Sequence, residues 1–125
     1  MAVTGAPPQD ERVSEGRGVD HAGVAELLGS LACETRVRIV YLLASAKLDV
    51  GQTAAAIDES VPNTSQHLVR LRQAGLVASR REGTRVLNHV TTPRVLDLLA
   101  TGAELASERG HGARKARRAV REEQP

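Results

Sequence analysis

The chain has 125 residues and a formal net charge of +2, which suits one domain with its own hydrophobic core. With no Phe or Trp and a single Tyr, that core must consist of Leu, Val, Ile and Ala, so burial between two subunits would help to stabilise it. No segment is apolar over the length of a membrane span, and the N-terminus lacks the basic segment followed by an apolar segment that forms a signal peptide. The single cysteine excludes an internal disulfide framework. We therefore expect a cytoplasmic protein. Its arginines crowd the second half of the chain, which favours a nucleic-acid partner over a membrane.

The two ends of the chain differ in composition from the centre. Residues 1–18 are rich in Gly, Pro and charge without periodicity, which predicts a disordered N-terminal tail. Residues 109–125 are strongly basic and are predicted to form a flexible C-terminal tail, which either adds non-specific phosphate contacts or is simply solvated. The folded domain is therefore expected to span residues 19–108.

Three helices are predicted in the first half of this domain. Apolar residues recur at helical spacing over residues 19–31 and again over residues 35–44, which predicts two helices with buried faces. Residues 49–57 form a shorter amphipathic pattern, which fits the first helix of a helix-turn-helix.

The segment from Ser60 to Val77 predicts a fourth helix with two contrasting faces. Ser60 is a suitable N-cap and Pro62 falls in the first turn, where a missing N–H costs little. One stripe is apolar or small and can face a core: Thr64, Leu68, Leu71 and Gly75. The opposite face carries hydrogen-bonding side chains without a carboxylate, namely Asn63, Ser65, Gln66, Arg70 and Gln73. Such a face suits the edges of DNA base pairs.

A β-hairpin and a last helix are predicted to follow. Residues 76–90 contain two strand-like runs around a turn at Glu82 and Gly83, with arginines near the tip. Thr92 can cap a helix that opens at Pro93 and continues with an apolar face. The predicted fold is therefore mainly α with a small β-hairpin wing, in the order of a winged helix-turn-helix.

Three motifs carry a family resemblance: LACETRVRI at residues 31–39, SQHLVRLRQAGLV at residues 65–77 and REGT at residues 81–84. In order and spacing they resemble the bacterial ArsR/SmtB repressors, over residues 22–99. The resemblance implies a winged helix-turn-helix homodimer that pairs through its first and last helices. It also implies a DNA-binding repressor without enzymatic activity. Because protein and operator symmetry match, an inverted-repeat operator is expected.

The resemblance and the polar face together nominate the DNA-binding residues. Asn63, Ser65 and Gln66 are expected to read bases, and Gly83 to permit the wing turn. Arginines on the fourth helix and the wing are expected to hold phosphates, namely Arg70, Arg80, Arg81 and Arg85.

The metal sites that recur in the family are degenerate in this sequence. Where the family carries Leu-Cys-Val-Cys the chain has LDVG at residues 48–51, and where an Asp-x-His pair is expected it has Asp97-Leu98-Leu99. Two other sensors stay open, namely redox chemistry at Cys33 and a non-standard Ni or Zn site. The candidate ligands of that site are His21, Asp97, Glu104, Glu108 and His111. The alternative for Cys33 is that it is only a small buried apolar residue. The alternative for the carboxylates is that they form a solvated helix face.

Two other functions are alternatives to the repressor. A winged-helix protein-interaction module would use the polar helix face to dock a partner subunit, and a second regulatory protein could control either kind of molecule. An enzyme is disfavoured because no nucleophile, base and orienting group can be nominated together.

Overall fold

The computed structural model describes the backbone of residues 18–123 and the side chains of residues 18–110. This part of the chain forms five helices and one hairpin: α1 (His21–Leu31), α2 (Glu34–Ser45), α3 (Val50–Ile57), α4 (Val61–Gln73), β1 (Val77–Glu82), β2 (Arg85–Val90) and α5 (Arg94–Glu123). The predicted mainly α fold with a β-hairpin wing is confirmed. The predicted N-terminal tail lies outside the described residues, except for Gly18.

Helix α2 lies at the centre of the domain, in contact with α1, α3, α4, α5 and β2. Its buried side chains Ile39, Val40 and Leu43 meet Leu68 and Leu71 of α4 in one hydrophobic cluster. Each such side chain contributes about 1.5–3 kcal/mol by leaving water. The remaining buried members of the cluster are Leu31, Ile57, Leu76, Val77 and Val95. The aliphatic core expected from the composition is thus confirmed.

The turn between α3 and α4 is fixed by capping. Asp58 ends α3 in the left-handed conformation, with φ of 56°. Ser60 then caps α4, because its Oγ accepts a hydrogen bond of 3.2 Å from the backbone N–H of Asn63. Pro62 lies in the first turn. The predicted start of α4 is therefore confirmed.

The end of α4 corrects one prediction, since Gly75 does not belong to the buried stripe. The helix ends at Gln73, and Gly75 is exposed with φ of 76°. The N–H of Leu76 donates to the carbonyl of Leu71 at 3.0 Å, and the N–H of Gly75 donates to that of Arg72 at 2.9 Å. This Schellman pattern favours a glycine, because a Cβ is disfavoured at positive φ. Gly75 therefore terminates α4 and turns the chain into the wing.

The wing is a two-stranded antiparallel hairpin that is also attached to the helical body. Val77 pairs with Val90, and Glu82 pairs with Arg85 across the turn. The turn centres on Gly83 and the following threonine, one residue later than predicted, with φ of 66° at the glycine. Residue Leu48 forms an additional bridge with Asn88 through two backbone hydrogen bonds of 2.7 and 3.2 Å. The base of the wing is thereby joined to the segment that precedes α3.

Helix α5 begins at Arg94, whose N–H donates to Oγ1 of Thr92 at 3.2 Å, one residue after the predicted opening at Pro93. Its helical backbone continues through Glu123, across the predicted domain boundary at residue 108. The segment beyond that boundary is rich in Ala and Arg, which are strong helix formers. The boundary itself stays a prediction. No helix in residues 18–123 combines the length and the apolar character needed to cross a membrane.

Candidate nucleic-acid interface

Helix α4 presents the predicted polar residues to solvent. Asn63, Ser65, Gln66 and Arg70 are all exposed, while Thr64, Leu68 and Leu71 anchor the opposite side in the core. The helix contains no acidic residue. A surface of this kind offers amide and hydroxyl groups to base edges without repelling phosphate.

A carboxylate just before α4 folds back on the start of the helix. Oε1 of Glu59 accepts hydrogen bonds from the N–H of Ser60 at 3.0 Å and from Nδ2 of Asn63 at 3.2 Å. The Ser60 bond, followed by the Asn63 bond and by the charge of His67, lowers the pKa of Glu59. The carboxylate therefore orients the Asn63 amide on the candidate reading surface.

The wing arginines do not share one face. Successive strand residues point to opposite sides of a hairpin, so Arg81 lies on the same side as Ser79, and Arg80 lies on the other. Both side chains are exposed. Only Arg81 is therefore on the side of the hairpin that faces α4, where Ser79 contacts Arg72.

Arg85 fastens the wing tip to the start of α3. Its Nη2 lies 3.1 Å from Oδ2 of Asp49, and this is the one ion pair among the side chains of residues 18–110. The same Nη2 donates a hydrogen bond of 2.7 Å to Oε1 of Gln52. Asp49 also caps α3 in a capping box with Gln52. The pKa of Asp49 is lowered, first by the hydrogen bond from the Gln52 N–H and further by Arg85. Arg85, predicted to hold phosphate, is thus already paired with a carboxylate.

Helices α3 and α4 and the wing enclose an open groove of about 530 Å³. Arg72 spans it, because its Nη1 donates to Oδ1 of Asn88 at 3.2 Å and to Oγ of Ser79 at 3.4 Å. The sequence predictions omitted Arg72 and Asn88. The two-residue alternation of the hairpin would have placed Asn88 beside Ser79, but only once the strand register was known.

Arg36 joins the end of α1 to α4. Its Nε donates to the carbonyl of Ser30 at 2.6 Å, and its Nη1 lies 3.4 Å from Nδ1 of His67. This contact gives His67 a structural role in joining α4 to the first turn of α2.

The candidate sensor residues are spread over several elements. His21 begins α1, and Asp97, Glu104 and Glu108 are exposed along α5, while the side chain of His111 lies outside the described residues. Within residues 18–110, no three His, Cys, Asp or Glu side chains converge as metal ligands would. Cys33 is half-buried at the N-cap of α2 and makes no side-chain capping hydrogen bond.

A helix-turn-helix followed by a hairpin wing defines a winged helix-turn-helix domain, the fold of a class of DNA-binding transcriptional regulators. The family model described as "Bacterial regulatory protein, arsR family" matches residues 33–79. The chain is 33% identical over 97 residues to the HTH-type transcriptional regulator KmtR of Mycobacterium tuberculosis. The aligned region covers 78% of this chain and 75% of that protein. The chain belongs to the arsR family of bacterial transcriptional regulators, which are not enzymes.

Two further similarities bear on partner and ligand. The cadmium resistance transcriptional regulatory protein CadC of Listeria innocua is 32% identical over 90 residues, with 71% of this chain and 76% of that protein covered. A homodimeric winged helix-turn-helix DNA-binding domain, Mb0332 of Mycobacterium bovis, superposes with a TM-score of 0.63. Its sequence is 33% identical, over 70% of this chain and 81% of that domain. The proteins to which this chain is similar thus include a homodimer and a regulator named for cadmium resistance.

Proposed function

We propose that this regulator is a homodimeric repressor that places α4 in the major groove of an inverted-repeat operator, with the wing on the adjacent backbone. The observation that carries the proposal is the exposed face of α4, which has no carboxylate and lies beside an arginine-bearing hairpin. Phosphate contacts supply affinity and base contacts supply sequence preference, and this surface offers groups for both.

Each nominated residue takes one of these roles. Asn63, Ser65 and Gln66 read base edges, and Gly83 shapes the wing turn. The phosphate contacts come from Arg70, Arg80 and Arg81. Arg85 contributes to the phosphate contacts through the exposed half of its side chain. It also holds the wing tip in place through its bonds to Asp49 and Gln52.

Exposed apolar side chains on α1 and α5 support the dimer. Val24 and Leu28 on α1 and Leu98 and Leu105 on α5 are large apolar residues open to solvent. A partner subunit that covered them would contribute about 0.7–1.5 kcal/mol for each side chain, because only about half of each is still exposed. Leu28→Asp should therefore shift the protein from dimer to monomer in sedimentation equilibrium, and an unchanged dimer would remove α1 from the interface.

Titration of the protein against its own upstream DNA over a range of salt concentrations tests the function. Binding should weaken steeply with salt, because each phosphate contact releases counterions. Gln66→Ala should weaken binding, and Arg81→Ala should lower the log–log salt slope by about 2 for a dimer. Arg38→Ala is the matched control, since Arg38 is exposed on α2 outside the groove. Unchanged affinity in both Gln66→Ala and Arg81→Ala would reject this reading surface. Salt-insensitive binding of a protein instead of DNA would indicate the interaction module.

The same titration, repeated with zinc, nickel, cadmium and an oxidant, tests how the repressor is released. Release by zinc or nickel would assign the sensor to a non-standard site among His21, Asp97, Glu104, Glu108 and His111. Release by the oxidant that is lost in Cys33→Ser would assign it to the thiol. Tight binding that no ligand alters would direct the search to a second regulatory protein.

A further inference from the structure

Three large apolar side chains are exposed on the surface that we assign to DNA. Most other exposed apolar residues of the described chain lie on or next to α1 or on α5, where the dimer accounts for them, and Tyr41 lies on α2. Val61 and Val69 on α4 are 47% and 40% exposed, and Val86 on the wing is 43% exposed. Neither hydrogen bonding to bases nor ion pairing with phosphates explains why these three valines are exposed.

The two α4 valines lie on one line along the helix. Val61, Ser65 and Val69 are four residues apart, so they follow each other on one side over about 12 Å. Ser65 lines the groove between α4 and the wing, and Val86 lines the same groove from the other side. A rise of about 12 Å corresponds to roughly three to four base pairs at 3.4 Å each. Val61 and Val69 therefore flank Ser65 on the side of α4 that borders the groove, next to the polar reading residues.

Valine is suited to one feature of the major groove. Thymine presents a C5-methyl group there, and an apolar side chain distinguishes it from the other bases by direct contact. A helical valine is almost confined to one χ1 rotamer, so its methyl groups are held in place before contact and little entropy is lost. Polar neighbours at Ser65 and Gln66 can bond the adjacent base edges at the same time.

We propose that Val61 and Val69 read thymine methyl groups, so that the operator carries thymines at fixed positions in each half-site. This inference rests on the proposed function, and it adds a specificity that the polar residues alone do not provide. The alternative is that an apolar protein surface covers the valines, and the experiment distinguishes such a partner from DNA.

The probe is a duplex pool of about 30 base pairs with random sequence, long enough for two half-sites. Duplexes selected by the full-length protein are resynthesised with deoxyuridine in place of thymidine at one position at a time, which removes a single methyl group. Loss of one contacted methyl should weaken binding about fourfold, and loss at both symmetric positions about fifteenfold.

The variants Val61→Ala and Val69→Ala identify which side chain reads each methyl. Each should bind the thymidine duplex more weakly than the parent protein and should bind thymidine and deoxyuridine equally at its own position. Alanine is a better helix former than valine, so both variants should stay folded, as thermal denaturation will verify. Tyr41→Ala removes an exposed apolar side chain elsewhere and should retain the full thymidine preference.

Failure of this inference differs from failure of the proposed function. Tight, salt-sensitive binding with no preference for thymidine at any position would overturn the methyl contact and leave the repressor intact. A preference that survives in both valine variants would also overturn it. If no duplex binds and a protein partner is lost in Val69→Ala, then both proposals are overturned.

Discussion

Asn88 lends itself to a stability prediction because one carboxamide joins the wing, α4 and the segment before α3. The residue is 3% exposed. Its Oδ1 accepts from Oγ of Ser79 at 2.8 Å and from Arg72 at 3.2 Å, and its Nδ2 donates to the carbonyl of Leu48 at 3.3 Å. Asn88→Ala removes all three bonds together with the packing of the amide.

The size of the loss follows from what happens to the former partners. Ser79 and Arg72 are exposed and can bond water instead, and the carbonyl of Leu48 keeps its 2.7 Å bond from the Asn88 N–H. No group is stranded in the core, so only the net value of the bonds and a small cavity are lost, about 2–3 kcal/mol in total. For a domain of this size that loss lowers Tm by about 10–20 °C.

Denaturant unfolding followed by circular dichroism, at one protein concentration for every variant, measures the change, because a dimer's stability depends on concentration. Ser79→Ala is the matched control, since it removes the bond from Ser79 to Asn88 and the longer bond from Arg72 to Ser79 but leaves the bond from Asn88 to Leu48 intact, at a cost of about 1 kcal/mol. A loss below about 0.5 kcal/mol in Asn88→Ala would show that the carboxamide does not hold the wing in solution.

Three further predictions concern single positions. Thr64→Val should raise Tm by about 4–8 °C, because the buried Thr64 Oγ1 has no hydrogen-bond partner among the described residues; a lower Tm would mean that the hydroxyl is bonded. Asp49→Asn keeps the cap but removes the charge paired with Arg85. Because the pKa of Asp49 in the folded protein is lowered, the stability advantage of the parent should be full at pH 7 and should be lost as the pH falls through that lowered pKa. An advantage that does not decrease on acidification would refute this. Gly75→Ala should cost about 1–2 kcal/mol at its positive φ, whereas Gly51→Ala in the first turn of α3 should be neutral or stabilising by denaturant unfolding; equal losses would exclude a backbone cause.

Periodicity and capping were sufficient to predict the first four helices and the start of the fifth. The stripe of α2 and the Ser60 cap of α4 rest on local spacing, and the structure confirms both. Gly75 lies four residues after Leu71, which is the spacing of the buried stripe of α4. Spacing alone cannot distinguish a small residue on a buried face from a glycine that ends a helix. The clue was its position directly before the strand-like run at residues 76–82.

The parts of the candidate site that depend on long-range contacts were not predictable from the sequence. Arg85 was assigned to phosphate because exposed arginines near a wing tip suit that role, but its carboxylate partner lies 36 residues earlier. Asn88 and Arg72 became neighbours only through the strand register and the angle of α4. Val69 is apolar, so the sequence alone gives no reason to place it on a DNA-binding surface. Its exposure becomes known only when the packing of α4 is known.

The contact of Arg36 with both the last turn of α1 and His67 has a consequence for operator choice. In the proposed dimer, α1 belongs to the subunit interface, whereas His67 directly follows Gln66 on the reading helix. In that dimer the side chain would link the placement of α4 to the two-fold axis and would contribute to the separation of the two reading helices. The number of base pairs between half-sites would then depend as much on this arginine as on any residue that touches a base.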